Sequence, residues 1–276
     1  MSLDFELTGG SVAGKDHRRG IPRNRQDAYH VARSRYGITA VVGDGCGSSA
    51  GSEVGATIGV QLMSTYLQRL LAHGHQPDKR LLARARQAML AQLHVLAQDM
   101  GESLSEVVNS YLLFTLVGGI ITPETATFFV LGDGVLVVNG ELIVLDSGPN
   151  NQPAYLAYAL TGSTLTDADP SLLDFQIVRQ LPTAGLQHFL IGSDGVQEAI
   201  DREARCLPGS DEVFGPLSQF WEDDRYFVPG TVAVTRRLNL LARDWPRRTE
   251  SGRSVTDGGL LSDDTTLIAG RRTPVI

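Results

Sequence analysis

The sequence predicts an α+β fold in which antiparallel sheets and helices form separate layers. Three observations carry this. Strand-like segments cluster in the middle of the chain, helical segments come as a pair before them, and the strict strand–helix alternation of a parallel sheet is absent. The chain has 276 residues. No linker, repeat or low-complexity tract divides it, so one domain over 1–276 is expected.

The elements follow in order. Residues 1–37 are mixed and polar, with a basic knot at Lys15-Asp16-His17-Arg18-Arg19. Ile38-Thr39-Ala40-Val41-Val42 is short and β-branched and closes on Gly43-Asp44-Gly45, the pattern of a buried strand ending in a turn. Over 51–73 the period changes to four, with Val54, Ile58, Leu62, Tyr66 and Leu70 predicting one helical face. A second helix is predicted over 78–100, with Leu82, Ala85, Met89, Leu93 and Leu96 on one side, Asp78 at the positive end of its dipole and Gly101 past its end. Leu112–Ile121 and Thr125–Leu131 read as strands. Val135–Val138 and Glu141–Leu145 flank Asn139-Gly140, which predicts a hairpin with a type I′ turn. Phe175–Arg179 and His188–Ile191 are two further strands. Residues 197–245 read as helical with breaks at Pro208, Pro216 and Pro229, Arg243–Gly259 as a surface loop, and Thr265–Ala269 as a closing strand.

Composition excludes several classes. Hydrophobic residues make up 42% and charged residues 20%, which argues against wholesale disorder. A formal charge of −7 disfavours nucleic-acid binding, which needs a cationic face. Two cysteines, Cys46 and Cys206, cannot build a disulfide framework or a four-cysteine zinc site. No run approaches the roughly 18 apolar residues of a membrane helix, and MSLDFELTGG has no leader pattern. A cytoplasmic location without membrane attachment is expected.

The informative pattern is where the aspartates sit. Apolar strands end at Gly43-Asp44-Gly45, Gly132-Asp133-Gly134 and Ser193-Asp194-Gly195, and Ser262-Asp263-Asp264 leads into a strand. Carboxylates held at the ends of core strands repel one another unless a cation neutralises them. Oxygen donors without His or Cys select Mg²⁺ or Mn²⁺ over zinc. Asp-Gly is also an ordinary turn, as Asp257-Gly258 is read here, so spacing alone leaves turns as the alternative to a metal site.

Five segments in order resemble the metal-dependent serine/threonine phosphatases of the PPM or protein phosphatase 2C family, in particular its short bacterial branch. They are Arg25-Gln26-Asp27-Ala28-Tyr29, Val41 to Ser48, Val130 to Gly134, Leu190 to Gly195 and Ser262 to Ile268. The resemblance implies a four-layer α/β/β/α sandwich, with the predicted helix pair as one outer layer. It implies two Mg²⁺ or Mn²⁺ ions and a third held more weakly. By that resemblance Asp44 bridges two ions, the Gly45 carbonyl completes one of them, Asp194 and Asp263 serve the other, and Asp133 shares the third with Asp194. Asp27 corresponds to the acid that holds water beside the metals, and Asp264 falls where the family often has Asn. The implied reaction is direct hydrolysis of phosphoserine or phosphothreonine on a protein by a hydroxide between ions roughly 3.5–4 Å apart, with no phosphoenzyme. Neither Ser193 nor Cys46 is taken as a nucleophile, since neither has an evident His partner.

Two departures stand out. Gln26 replaces a frequent Glu, and Pro22 occupies the place of the family's phosphate-binding Arg. Arg23 is the first candidate to replace it, because a guanidinium binds phosphate bidentately; Arg25, Lys15 and His17 follow. The loop 148–174 is read as a substrate-facing flap. A monomer acting on phosphorylated protein is expected, with a catalytically weak phosphoprotein-binding module as the alternative.

Overall fold

A computed structural model describes residues 3–15, 24–101, 103–148, 153–162, 169–249 and 251–273. The elements run β1 (Phe5–Val12), β2 (Ala28–Arg33), β3 (Ile38–Gly45), α1 (Ser52–Ala72), α2 (Lys79–Asp99), α3 (Leu104–Tyr111), β4 (Phe114–Ile121), β5 (Thr125–Leu131), β6 (Gly134–Val138), β7 (Glu141–Leu145), α4 (Tyr158–Thr161), β8 (Gln176–Pro182), β9 (His188–Gly192), α5 (Gly195–Asp201), α6 (Gln219–Glu222), α7 (Ala233–Ala242), β10 (Trp245–Arg248), β11 (Ser254–Asp257) and β12 (Thr265–Arg272). Among the described residues two five-stranded sheets form, β1-β12-β9-β6-β7 and β2-β3-β4-β5-β8, with neighbouring strands antiparallel throughout.

The central strands are apolar without a polar face because both their faces are covered. Successive side chains of one strand enter different cores. Ile38, Ala40 and Val42 of β3 join Val117, Phe128, Leu136, Phe189 and Ile268 between the two sheets, where the Phe128 and Phe189 rings lie 5.4 Å apart. Val41, Leu116, Phe129 and Leu131 face the other way, into α1, α2 and α3. Leu190, Leu267 and Ala269 face α5, α6 and α7. The result is the expected α/β/β/α sandwich.

The predicted helix 51–73 forms, but on a different face. Gly55, Ala56, Gly59, Val60, Met63, Leu67 and Leu71 are buried, whereas Val54 is exposed and Ile58, Leu62, Tyr66 and Leu70 lie on the flank. Small residues let the helix sit close on the sheet: a Cβ at Gly59 would lie 2.3 Å from the Phe114 ring. In α2, Asp78 is the N-cap and accepts from the Arg80 and Leu81 amides, at 2.9 and 3.0 Å. The Asn139-Gly140 turn has φ of 51° and 85°, as type I′ requires.

Other expectations change. The polar N-terminal stretch holds two edge strands, β1 and β2, which carry few large apolar side chains. Helix α3 has a reciprocal capping box between Ser103 and Glu106. Within 197–245 α-helix occurs only at the end of α5, in α6 and in α7, with a 3₁₀ turn at Asp224–Tyr226. Between them buried Arg237 donates to the carbonyls of Val213 (3.0 Å) and Phe214 (2.6 Å), satisfying an irregular backbone. The stretch 243–259 is not a plain loop but carries the ribbon β10–β11, with Arg247 paired to Asp257 at 3.0 Å. Of the expected flap, 149–152 and 163–168 lie outside the described residues, and Leu156 and Ala157 are buried in the core. Among the described residues no helix is long and apolar enough to cross a membrane.

Candidate active site

Strand direction brings the acidic turns to one end of the sandwich. β3 ends where β2 begins, with Gly43 opposite Ala28. β12 begins where β1 ends, with Thr265 opposite Val12. β5 ends at Leu131, opposite Leu116 near the start of β4. β9 ends at Gly192, opposite both Leu267 and Val135. Asp27 precedes β2, Asp44 is the penultimate residue of β3 and pairs with Thr115 rather than standing in a turn, Asp133 joins β5 to β6, Asp194 follows β9, and Asp263 and Asp264 precede β12. Residues far apart in sequence thus become electrostatic neighbours.

Their surroundings oppose ionisation. Burial, then the Asp264 and Asp194 carboxylates, push the Asp27 carboxyl up to about 8. The hydroxyls of Ser193 and Thr266 ease this without closing a hydrogen bond of good geometry. Burial, then Asp27, Asp194 and Asp263, holds Asp44 well above the usual carboxylate range. Burial and Asp194 lift Asp133 to about 7. Both carboxylate oxygens of Asp27 and Oδ1 of Asp194 are buried without a hydrogen-bond partner. Among the described residues no three acidic, His or Cys side chains close around one point. The donor set is nevertheless one a hard divalent cation fits: carboxylates, a backbone carbonyl at Gly45 and orphaned buried oxygens, which a cation would both neutralise and coordinate.

The turn carrying Asp263 is wedged between two glycines. A Cβ at Gly14 would lie 2.3 Å from the Ser262 carbonyl oxygen, and one at Gly195 would lie 2.0 Å from that of Asp264. Glu198, one helical turn after Asp194, accepts the Ser262 amide and fixes the turn from below. Asp264 is 2% exposed; its Oδ1 accepts the Gly14 amide at 2.9 Å and its Oδ2 the Gln26 amide. It therefore clasps the residue before Asp27 to the segment leaving β1. Sequence reading ranked Asp264 below Asp263 and passed over Glu198; the doubled aspartate and the Asp194/Glu198 spacing were the available signals.

The remaining expectations divide. Arg23 and His17 lie outside the described residues. Arg25 is committed to carbonyls, donating to Asp27 at 3.2 Å and Ser11 at 3.3 Å. Ser193 is buried, and its hydroxyl accepts the Thr266 amide at 3.0 Å, a structural task. His188 stacks on Trp221 at 4.9 Å. Beside the cluster an acidic groove of about 360 Å³ is lined by Asp133, Asp146, Asp194, Gln197, Glu198 and Asp201.

Comparison with known proteins gives the family and the fold. The family model described as protein phosphatase 2C matches residues 13–226. No curated protein matches the sequence. Among solved structures, a bacterial serine phosphatase is similar at a TM-score of 0.55 and 15% identity, covering 99% of each chain. The serine/threonine phosphatase Stp1 from Staphylococcus aureus is similar at 0.50 and 14%, covering 98% of this chain and 97% of that one. The catalytic domain of the serine/threonine protein phosphatase PstP, solved in complex with two manganese ions, is similar at 0.50 and 17%, covering 97% of each.

Proposed function

Because this chain belongs to the protein phosphatase 2C family, and is a phosphatase by that membership, we propose that it is a Mg²⁺- or Mn²⁺-dependent serine/threonine protein phosphatase, a cytoplasmic monomer whose whole length serves one catalytic unit. The observation that carries the metal dependence is the convergence of carboxylates from separate strand ends, three of them lifted by burial and mutual repulsion. The two manganese ions of the PstP structure support the same reading.

In this reading Asp44 and the Gly45 carbonyl would hold one ion, Asp44, Asp194 and Asp263 the other, and Asp133 with Asp194 a weaker third. The bound ions would supply charge neutralisation of the phosphoryl oxygens and a water acidic enough to attack near neutral pH. The residues supply position. Asp44 offers an oxygen to each side. Asp27, with Oδ1 and Oδ2 otherwise unpartnered, would orient water and, ionised once bound cations offset the neighbouring carboxylates, receive its proton. Arg23 binds the phosphate of a phosphorylated protein, and the seryl or threonyl oxygen leaves after protonation.

The test is hydrolysis of p-nitrophenyl phosphate and a phosphothreonine peptide with Mn²⁺, Mg²⁺ or EDTA. Turnover should require metal and vanish in Asp194→Ala. Turnover in EDTA, or an active Asp194→Ala protein, refutes the proposal.

A further inference from the structure

Gln26 stands where the resemblance expects an acid, and the fold gives its amide a task that an acid cannot perform. The residue is 2% exposed. Its Nε2 donates to the carbonyls of Cys46 at 3.1 Å and Ser49 at 3.3 Å, and to the Ser52 hydroxyl. Carbonyl oxygens only accept, so the atom facing them has to be the NH₂ group, and the amide orientation follows from chemistry. Oε1 is buried and unpartnered. The Gln26 backbone amide is held by Asp264. One residue therefore joins three segments: the approach to Asp27, the turn before β12, and the Cys46–Ser52 turn that follows Gly45. That turn is braced from its far side too, where the Cys46 amide donates to Leu113 O at 2.9 Å and the Ser49 hydroxyl to Asn109 O at 2.8 Å.

We infer that Gln26 is a positioning residue, which fixes the Gly45 carbonyl beside Asp44 by holding the Cys46–Ser52 turn through its NH₂ group. The inference rests on the metal-site reading above. It makes a prediction opposite in sign to simple electrostatics. A carboxylate added next to cations strengthens their binding if charge governs. Gln26→Glu instead sets an acceptor against two carbonyls and releases the turn.

The experiment is calorimetric titration of Mn²⁺ into the metal-stripped full chain, wild type against Gln26→Glu, with turnover of p-nitrophenyl phosphate as a function of Mn²⁺. The expected result is about tenfold weaker Mn²⁺ binding in the variant, of the size seen when support around a ligand is lost. The Mn²⁺ concentration for half-activation should rise by the same factor, with KM for p-nitrophenyl phosphate at saturating Mn²⁺ unchanged. Equal or tighter Mn²⁺ binding overturns the inference. Wild type that binds no Mn²⁺ overturns the metal reading beneath it. Should Gln26→Glu fail to fold, Gln26→Met removes the same donor without adding charge; weaker Mn²⁺ binding supports the inference and unchanged binding overturns it.

Discussion

Asp27 gives the sharpest consequence of the crowded carboxylates, because its protonation couples folding to pH in the absence of metal. The unfolded chain releases the Asp27 proton near the ordinary carboxyl value of 3.8, whereas the folded chain keeps it up to about 8. Between these values the native state binds more protons than the unfolded state, so stability falls as pH rises, and the loss is complete only above pH 8. At about 1.4 kcal/mol per pKa unit, the displacement corresponds to a loss on the order of 5 kcal/mol from pH 4 to pH 8. Asp44 and Asp133 are lifted in the same direction and share protons with it, so the set titrates together and the part removed by one substitution is smaller, about 2 kcal/mol. Asp27→Asn should therefore stabilise the EDTA-treated protein at pH 8 by about that amount, by progressively less as pH falls, and leave it nearly unchanged at pH 4. Urea unfolding of both proteins at pH 4, 5, 6, 7 and 8 measures the difference directly, since contributions common to the two cancel. Saturating Mn²⁺ should restore wild-type stability at pH 8. A difference that is flat with pH, or that favours wild type as pH rises, would refute the account of why these carboxylates sit together.

Other substitutions test separate parts of the reading. Asp44→Asn should abolish the heat of Mn²⁺ binding while circular dichroism shows the fold intact; wild-type Mn²⁺ affinity contradicts the bridging role. Arg23→Ala should raise KM for a phosphothreonine peptide about tenfold, the usual weight of a charge-assisted contact, with kcat preserved; an unchanged KM moves the phosphate-binding role elsewhere. Gly59→Ala sets a methyl 2.3 Å from the Phe114 ring. It should cost about 1–3 kcal/mol in urea unfolding without altering Mn²⁺ affinity, and a neutral result means that α1 is free to move off the sheet.

The end of the sandwich was legible in the sequence, and its sides were less so. Asp44, Asp133 and Asp194 each follow a run of apolar residues closed by glycine, and that pattern survives because core strands need both faces apolar while a turn needs Gly. The face of α1 was misread for a related reason. Large apolar residues at Val54, Ile58 and Leu62 outweighed the small Gly55, Ala56 and Gly59, yet close packing of a helix on a sheet favours the small ones. β1 and β2 escaped because they are edge strands, and the pairing of β1 depends on a partner at the far end of the chain, Val12 with Thr265. Arg237 hides the structure of 197–245 in the same way: it satisfies carbonyls 23 and 24 positions away that a helix would have satisfied locally.

Gln26 shows the limit of transferring roles by motif. At the level of the sequence it is a lost charge, and a lost charge beside cations predicts weaker binding. In the fold the same atoms face two carbonyls and a hydroxyl, all of which accept, so the neutral amide is the group that the position requires. The acidic side chain here is Asp264, whose carboxyl oxygens take the Gln26 and Gly14 amides at a position the family often fills with Asn. Donor and acid are in effect divided between Gln26 and Asp264, which meet at the Gln26 backbone amide. If these two departures compensate, Gln26→Glu combined with Asp264→Asn should bind Mn²⁺ more tightly than the sum of the single effects allows. A double-mutant cycle on Mn²⁺ affinity reads that coupling, and strict additivity would show the two residues to be independent.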